Sequence, residues 1–157
     1  MKPRPRCAEN GIARELNKVF LPLGFSEIKR IPVLGREGPD LTINETGLVV
    51  DVKSRQQCPI SYFSVDEMLL SNAGVCAVSI LNLSRFSEIV EYKKITDSIM
   101  VRRWLDHMDE WRKTELPWGI STIILHRPRL PYGKSMVVFY LSDVGKISDL
   151  VSKRSNQ

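Results

Sequence analysis

The spacing of apolar positions divides the chain into helical and extended segments. Ile12, Leu16, Val19, Phe20 and Leu23 recur at helical steps, which predicts an amphipathic N-terminal helix ended by Gly24-Phe25. Glu27 to Ile31 then reads as a strand. Leu41-Thr42-Ile43 and Leu48-Val49-Val50 have strand composition, and Asn44-Glu45-Thr46-Gly47 between them has turn chemistry, so this stretch predicts a small β-hairpin. A short helix around Val65 to Asn72 and a strand from Val75 to Leu81 follow. From Ile99 to Lys113 the apolar residues Met100, Val101, Trp104, Leu105, Met108 and Trp111 form one stripe of a helix, with Arg102, Arg103, Asp106, Asp109, Glu110 and Lys113 opposite. That stripe suits either core packing against a sheet or a dimer surface. Pro117-Trp118-Gly119 breaks the chain, and Ser121 to Leu125 and Ser135 to Leu141 read as two strands. The pattern as a whole predicts an α/β domain with a central mixed sheet flanked by helices.

Length adds that residues 1–157 form a single domain able to bury a core. Within it, 1–7 reads as a basic flexible arm, 8–86 as the core, 95–150 as a helix and hairpin completing the domain, and 152–157 as a disordered tail. The longest apolar runs are too short to span a membrane, and Met-Lys-Pro-Arg-Pro-Arg lacks the apolar segment of a signal peptide, so a cytoplasmic location is expected. Cys7, Cys58 and Cys76 have no metal-ligand spacing and suit a reducing compartment. The net charge of +5 favours a polyanionic partner. No phosphate-binding glycine loop, dinucleotide fingerprint, Ser-His-Asp signature or zinc cluster is present.

The chemistry concentrates between residues 39 and 53. Pro39-Asp40 and Asp51-Val52-Lys53 flank the hairpin, and a simple register brings Asp40 beside Asp51. Side chains alternate along a strand, so Asp51 and Lys53 share one face. An Asp-x-Lys inside an apolar strand is costly to bury, and a divalent cation offsets that cost. Oxygen ligands of this kind suit Mg²⁺, with one or two protein carboxylates and the remaining positions left to water and phosphate. The Lys53 ammonium would orient a water or stabilise charge on phosphorus. Arg30, Arg36 and Arg55 lie near the cluster in sequence and would neutralise flanking phosphates. Arg127 and Arg129, in a basic and aromatic connection from His126 to Lys134, suit a grip on a nucleic-acid backbone, although a plain surface loop has the same composition.

Pro39-Asp40…Asp51-Val52-Lys53 resembles the signature of the PD-(D/E)XK nuclease superfamily, and the region from Ala8 to Phe86 is similar to archaeal Holliday junction resolvases and related phage and viral nucleases. The resemblance implies a restriction-endonuclease-like core of order αβββαβ and a Mg²⁺-dependent DNA endonuclease in which Mn²⁺ substitutes. It further implies metal ligation by Asp40, Asp51 and the Val52 carbonyl, a positioning role for Lys53, and a glutamate from the first helix. Arg14-Glu15-Leu16 resembles the resolvases' Arg-Glu-Leu run, but their metal-side glutamate stands two residues earlier, where this chain has Ala13. Glu9, one helical turn before Ala13 and within the apolar stripe, is therefore favoured over Glu15, and both remain candidates. The resolvase likeness implies a homodimer that cuts branched DNA in recombination or repair. A restriction-like duplex endonuclease, a non-catalytic nucleic-acid-binding module on a nuclease-like fold, and an adaptor using the Trp-Met helix face are the alternatives.

Overall fold

The computed structural model describes residues 5–32, 38–56, 68–71, 73–89, 92–95 and 99–153. Helix α1 spans Pro5–Phe20 and runs into a 3₁₀ turn, Leu21–Leu23, closed by Gly24 in the left-handed region (φ 94°). The stop is the one expected of Gly-Phe. The start differs, because helix already includes residues 5–7 that composition suggested were a flexible arm. Pro5 suits a first helical turn, where its missing N–H costs nothing.

Six strands follow among the described residues: β1 Leu48–Ser54, β2 Met68–Ser71, β3 Val75–Ser79, β4 Tyr92–Ile95, β5 Ile120–His126 and β6 Met136–Tyr140. Helix α2 spans Ile99–Glu115 and α3 spans Val144–Lys153. The strands form one mixed sheet in the order β1-β5-β6-β3-β2-β4, with β1–β5 and β2–β4 parallel and the other neighbours antiparallel. Helix α1, the 3₁₀ segment Ile80–Glu88 and α3 cover one face, packing on Leu48, Val50, Ile124, Val137, Phe139 and Val78. Helix α2 covers the other through Val101, Leu105 and Met108 against Val49, Ile123, Leu125 and Val138. The aromatic stripe of α2 is thus mainly core, with Trp104 and Trp111 half-buried at its edge and Ile99 and Met100 exposed. No helix among the described residues is long and apolar enough to cross a membrane.

The element order differs from αβββαβ. Residues 27–31 form no strand; Arg30 makes a single bridge with Leu41. Residues 41–43 are held by Thr42 N–H donating to Lys29 O (2.7 Å) and are not a strand either. Met68–Ser71, expected in a short helix, is strand β2, and the rest of that expected helix (65–67 and 72) lies outside the described residues. The three-residue apolar run Met68-Leu69-Leu70 carries no periodicity that separates helix from strand. Here burial on both faces decides: Leu69 joins the α2 side and Leu70 the α1 side. The strand expected from Val75 to Leu81 turns into 3₁₀ helix at Ile80. Helix α3, to which no element was assigned from sequence, extends through Ser152 and Lys153, which were expected in a disordered tail. Its Ile147 and Val151 are buried one turn apart.

The turn before β1 meets expectation. Gly47 N–H donates to Asn44 O (3.1 Å), Thr46 N–H to Asn44 Oδ1 (3.0 Å), and Gly47 O accepts from Ile120 N–H (2.7 Å), which sets the parallel register of β1 on β5. Gly47 has φ +73°, and a Cβ there would meet the Trp118 ring at 2.6 Å. Trp118 is exposed and can swing aside, so the left-handed backbone dominates the cost. Gly47→Ala is expected to lower stability by about 1–2 kcal/mol. An unchanged urea midpoint for that variant would show that the turn tolerates a side chain.

Candidate active site

Strand β1 is an edge of the sheet, and its free side is filled by the segment that carries Asp40. Asp40 N–H donates to Val50 O (2.8 Å), and Asp40 Oδ2 accepts from Val52 N–H (2.8 Å). A strand residue points its N–H and C=O to the same side, so the Val52 carbonyl also faces Asp40. The expected approach of Asp40 to Asp51 is therefore present, built by an irregular segment on a sheet edge and not by a two-stranded hairpin. Burial is the main cause that pushes the Asp40 carboxyl up to about 7, and a side-chain hydrogen bond with Asp51 and the charges of Asp51 and Glu9 add to it. Lys53 Nζ lies 3.2 Å from Asp51 Oδ2, on the same face, as alternation requires.

Of the two helix glutamates, the structure brings Glu9 to this cluster. Its pKa is raised by burial, lowered by Arg30 and raised by Asp51, and its charge in turn raises that of Asp40, so it lies within electrostatic reach of these three residues. Glu15 is elsewhere. It pairs with Lys18 at 3.0 Å and lines a groove with Pro22, Leu81 and Ser84. Helical geometry explains the separation, since six residues along an α-helix turn the side chain well away from the starting face. Arg30 lies within electrostatic reach of Glu9, and Arg36 lies outside the described residues. Arg55 follows β1 and sets its guanidinium 5.7 Å from the centre of the Trp104 ring. Arg127 and Arg129 are exposed where the chain leaves the carboxyl end of β5, the end at which β1 delivers Arg55, and Arg129 has φ +78°. His126 is buried against Tyr132 and Ser135, and burial lowers its pKa. Cys7 is exposed, Cys76 is buried, and Cys58 lies outside the described residues.

Among the described residues no group of three or more His, Cys, Asp and Glu side chains is spaced to hold a metal ion. The donor set nonetheless suits Mg²⁺, which takes one or two protein carboxylates and keeps its waters. Two adjoining carboxyls, one driven toward protonation, are what a divalent cation relieves. Asp40, Asp51 and the Val52 carbonyl would hold it.

The same pair makes a stability prediction. Asp40 has a folded pKa near 7 against a reference of 3.8. The folded protein therefore binds the extra proton between those values, and stability falls as pH rises from about 4 to about 7. Above that window the penalty stays. Asn keeps the acceptor for Val52 N–H and removes the charge. In EDTA, Asp40→Asn is expected to gain roughly 1–2 kcal/mol over the parent at pH 8, discounted because the carboxyl is partly open to solvent, and nothing comparable at pH 4. Urea unfolding at both pH values checks this, and an equal difference at the two would show that the Asp40 carboxyl is not raised in the folded protein.

Sequence reasoning treated Trp104 as packing and missed its place beside Lys53, whose Nζ lies 5.4 Å from the ring centre. The run Arg102-Arg103-Trp104, basic and aromatic together, was the available signal. The chain matches no protein-family model, no curated protein and no solved structure.

Proposed function

We propose that this protein is a metal-dependent endonuclease that hydrolyses DNA phosphodiester bonds. The observation that carries the reading is the meeting of Asp40, Asp51 and Lys53 at one sheet edge, with Glu9 of α1 within electrostatic reach and Asp40 pushed up to about 7 by burial and its acidic neighbours. Mg²⁺, or Mn²⁺ in its place, would supply Lewis acidity and a water of lowered pKa. Asp40 and Asp51 would hold the ion and orient it at the edge of β1. Lys53 holds a positive charge 3.2 Å from Asp51, where it can meet the charge that builds on a phosphoryl oxygen. Glu9 adds a carboxyl that can accept a proton. Arg30 and Arg55, with Arg127 and Arg129 at the carboxyl end of β5, supply cations for the flanking phosphates.

The likeness to junction resolvases extends the proposal to branched DNA and a homodimer, since two symmetric cuts need two sites. A restriction-like duplex substrate is the alternative. A non-catalytic nucleic-acid-binding module is a further reading, favoured by the lack of a three-residue acidic group among the described residues.

Labelled four-way junction, duplex and single-stranded DNA incubated with Mg²⁺, Mn²⁺ or EDTA, beside Asp51→Asn, test the proposal. Cleavage that needs both metal and Asp51 supports it. Binding without cleavage under every condition assigns the protein to the binding-module class.

A further inference from the structure

A groove of about 850 Å³ opens beside Lys53, lined by Arg55, Ile99, Met100, Arg103 and Trp104. We infer that this groove is a subsite for an unpaired nucleotide adjoining the scissile phosphate, so that the strand being cut is single-stranded or frayed at that point. That this strand is cut rests on the nuclease reading above; the groove and its chemistry do not.

The groove is built from local geometry. Met100, Arg103 and Trp104 stand at helical spacing on the first turns of α2, so they share a face. Arg55 comes from the residue after β1, and its guanidinium lies 5.7 Å from the Trp104 ring centre. The same ring has the Lys53 ammonium at 5.4 Å, and that ammonium is 3.2 Å from Asp51. One tryptophan therefore borders both the acidic pair and the groove.

The lining selects its occupant. Ile99 is 68% exposed and Met100 54%, an apolar surface next to two exposed arginines. The outside of a duplex presents phosphates and sugars and hides its base faces, so it would satisfy the arginines and leave Trp104, Met100 and Ile99 against a polar backbone. An unpaired nucleotide offers both parts, a π-face for the tryptophan and a phosphate for the guanidinium groups. On the nuclease reading, adjacency to Lys53 places that nucleotide next to the phosphate that a metal ion at Asp40 and Asp51 would hold. The volume is of the size that ordered small-molecule and nucleotide sites have.

The test uses the full chain, with binding followed by fluorescence anisotropy in EDTA and cleavage followed with Mg²⁺. The probes are fluorescein-labelled oligo(dT), oligo(rU) and a blunt hairpin duplex. Oligo(dT) is expected to bind about ten-fold more tightly than the duplex. Trp104→Ala is expected to weaken oligo(dT) binding roughly ten-fold or more, and Trp104→Phe, which keeps a stacking ring, by no more than about three-fold. Arg103 is exposed, so Arg103→Ala tests the groove without a packing change, and it should lower the salt slope by about one. Tighter binding of oligo(rU) than oligo(dT) would support the subsite and assign the strand to RNA. Equal or tighter binding of the duplex, or unaltered oligonucleotide binding by both Trp104→Ala and Arg103→Ala, overturns the subsite. Metal-dependent duplex cleavage that Trp104→Ala leaves unchanged overturns it too, while the nuclease reading stands. Groove-dependent binding with no cleavage under any metal supports the subsite and overturns the nuclease reading.

Discussion

Asp51→Asn is expected, on the proposed nuclease reading, to lower Mg²⁺-dependent DNA cleavage by roughly 10²–10³-fold while the protein stays folded. Asn is nearly isosteric, and Asp51 is only partly buried, so the substitution removes charge with little change in packing. The carboxylate serves two ends. It is half of the acidic pair with Asp40, and it holds the Lys53 ammonium at 3.2 Å. Losing either function removes stabilisation that matters most when charge builds on phosphorus, and single groups aimed at such charge are worth about 10²–10³-fold. Lys53→Ala should fall in the same range, and the double variant should lose little more than either single one, because residues that act as a unit are not additive. The helix glutamates sharpen the test. Glu9→Gln is expected to slow cleavage, whereas Glu15→Gln, on a residue paired with Lys18 away from the cluster, is expected to leave it unchanged. Single-turnover rates for the five variants beside the parent decide the matter. A fully active Asp51→Asn, or a loss confined to Glu15→Gln, would remove this site as the seat of hydrolysis.

Phe139→Ala is expected to cost about 3–5 kcal/mol and to lower the melting temperature by about 10 °C. Phe139 is fully buried on β6, a strand flanked on both sides by β5 and β3. Its ring meets Phe86 edge-on, with centroids 5.8 Å apart, and so ties the 3₁₀ segment to the sheet. Truncation loses the transfer free energy of the ring and leaves a cavity between two regular layers that relax only in part. Phe139→Leu fills most of that space and should cost less than half as much. Urea unfolding of the two variants gives both numbers. A loss below about 1 kcal/mol for Phe139→Ala would mean that α1 and the 3₁₀ segment collapse into the gap.

The strongest local signals in the sequence concern single elements. The Asn-Glu-Thr-Gly turn, the same-face placement of Asp51 and Lys53, the stop of α1 at Gly24 and the stripe of α2 follow from backbone geometry over a few residues, and the structure has each of them. Segments whose state depends on distant partners were not legible. Met68–Ser71 became a strand because β3 and β4 flank it, and residues 27–31 did not because only Arg30 finds a bridging partner.

By itself, then, the sequence determined which residues carry charge on which face, where turns fall, and that Asp40, Asp51 and Lys53 form a group. Period and turn chemistry are local, and local interactions need no knowledge of the rest of the chain. Tertiary structure alone decided that β1 pairs with β5, 72 residues further along the chain, and that the Asp40 segment closes the edge of β1. It alone brought Glu9 and not Glu15 to the acidic pair, and set Trp104 beside Lys53. Those choices depend on which surfaces bury together and which edge is left for a carboxylate to cap, and the free energy of such contacts belongs to pairs of residues that the linear order does not place side by side.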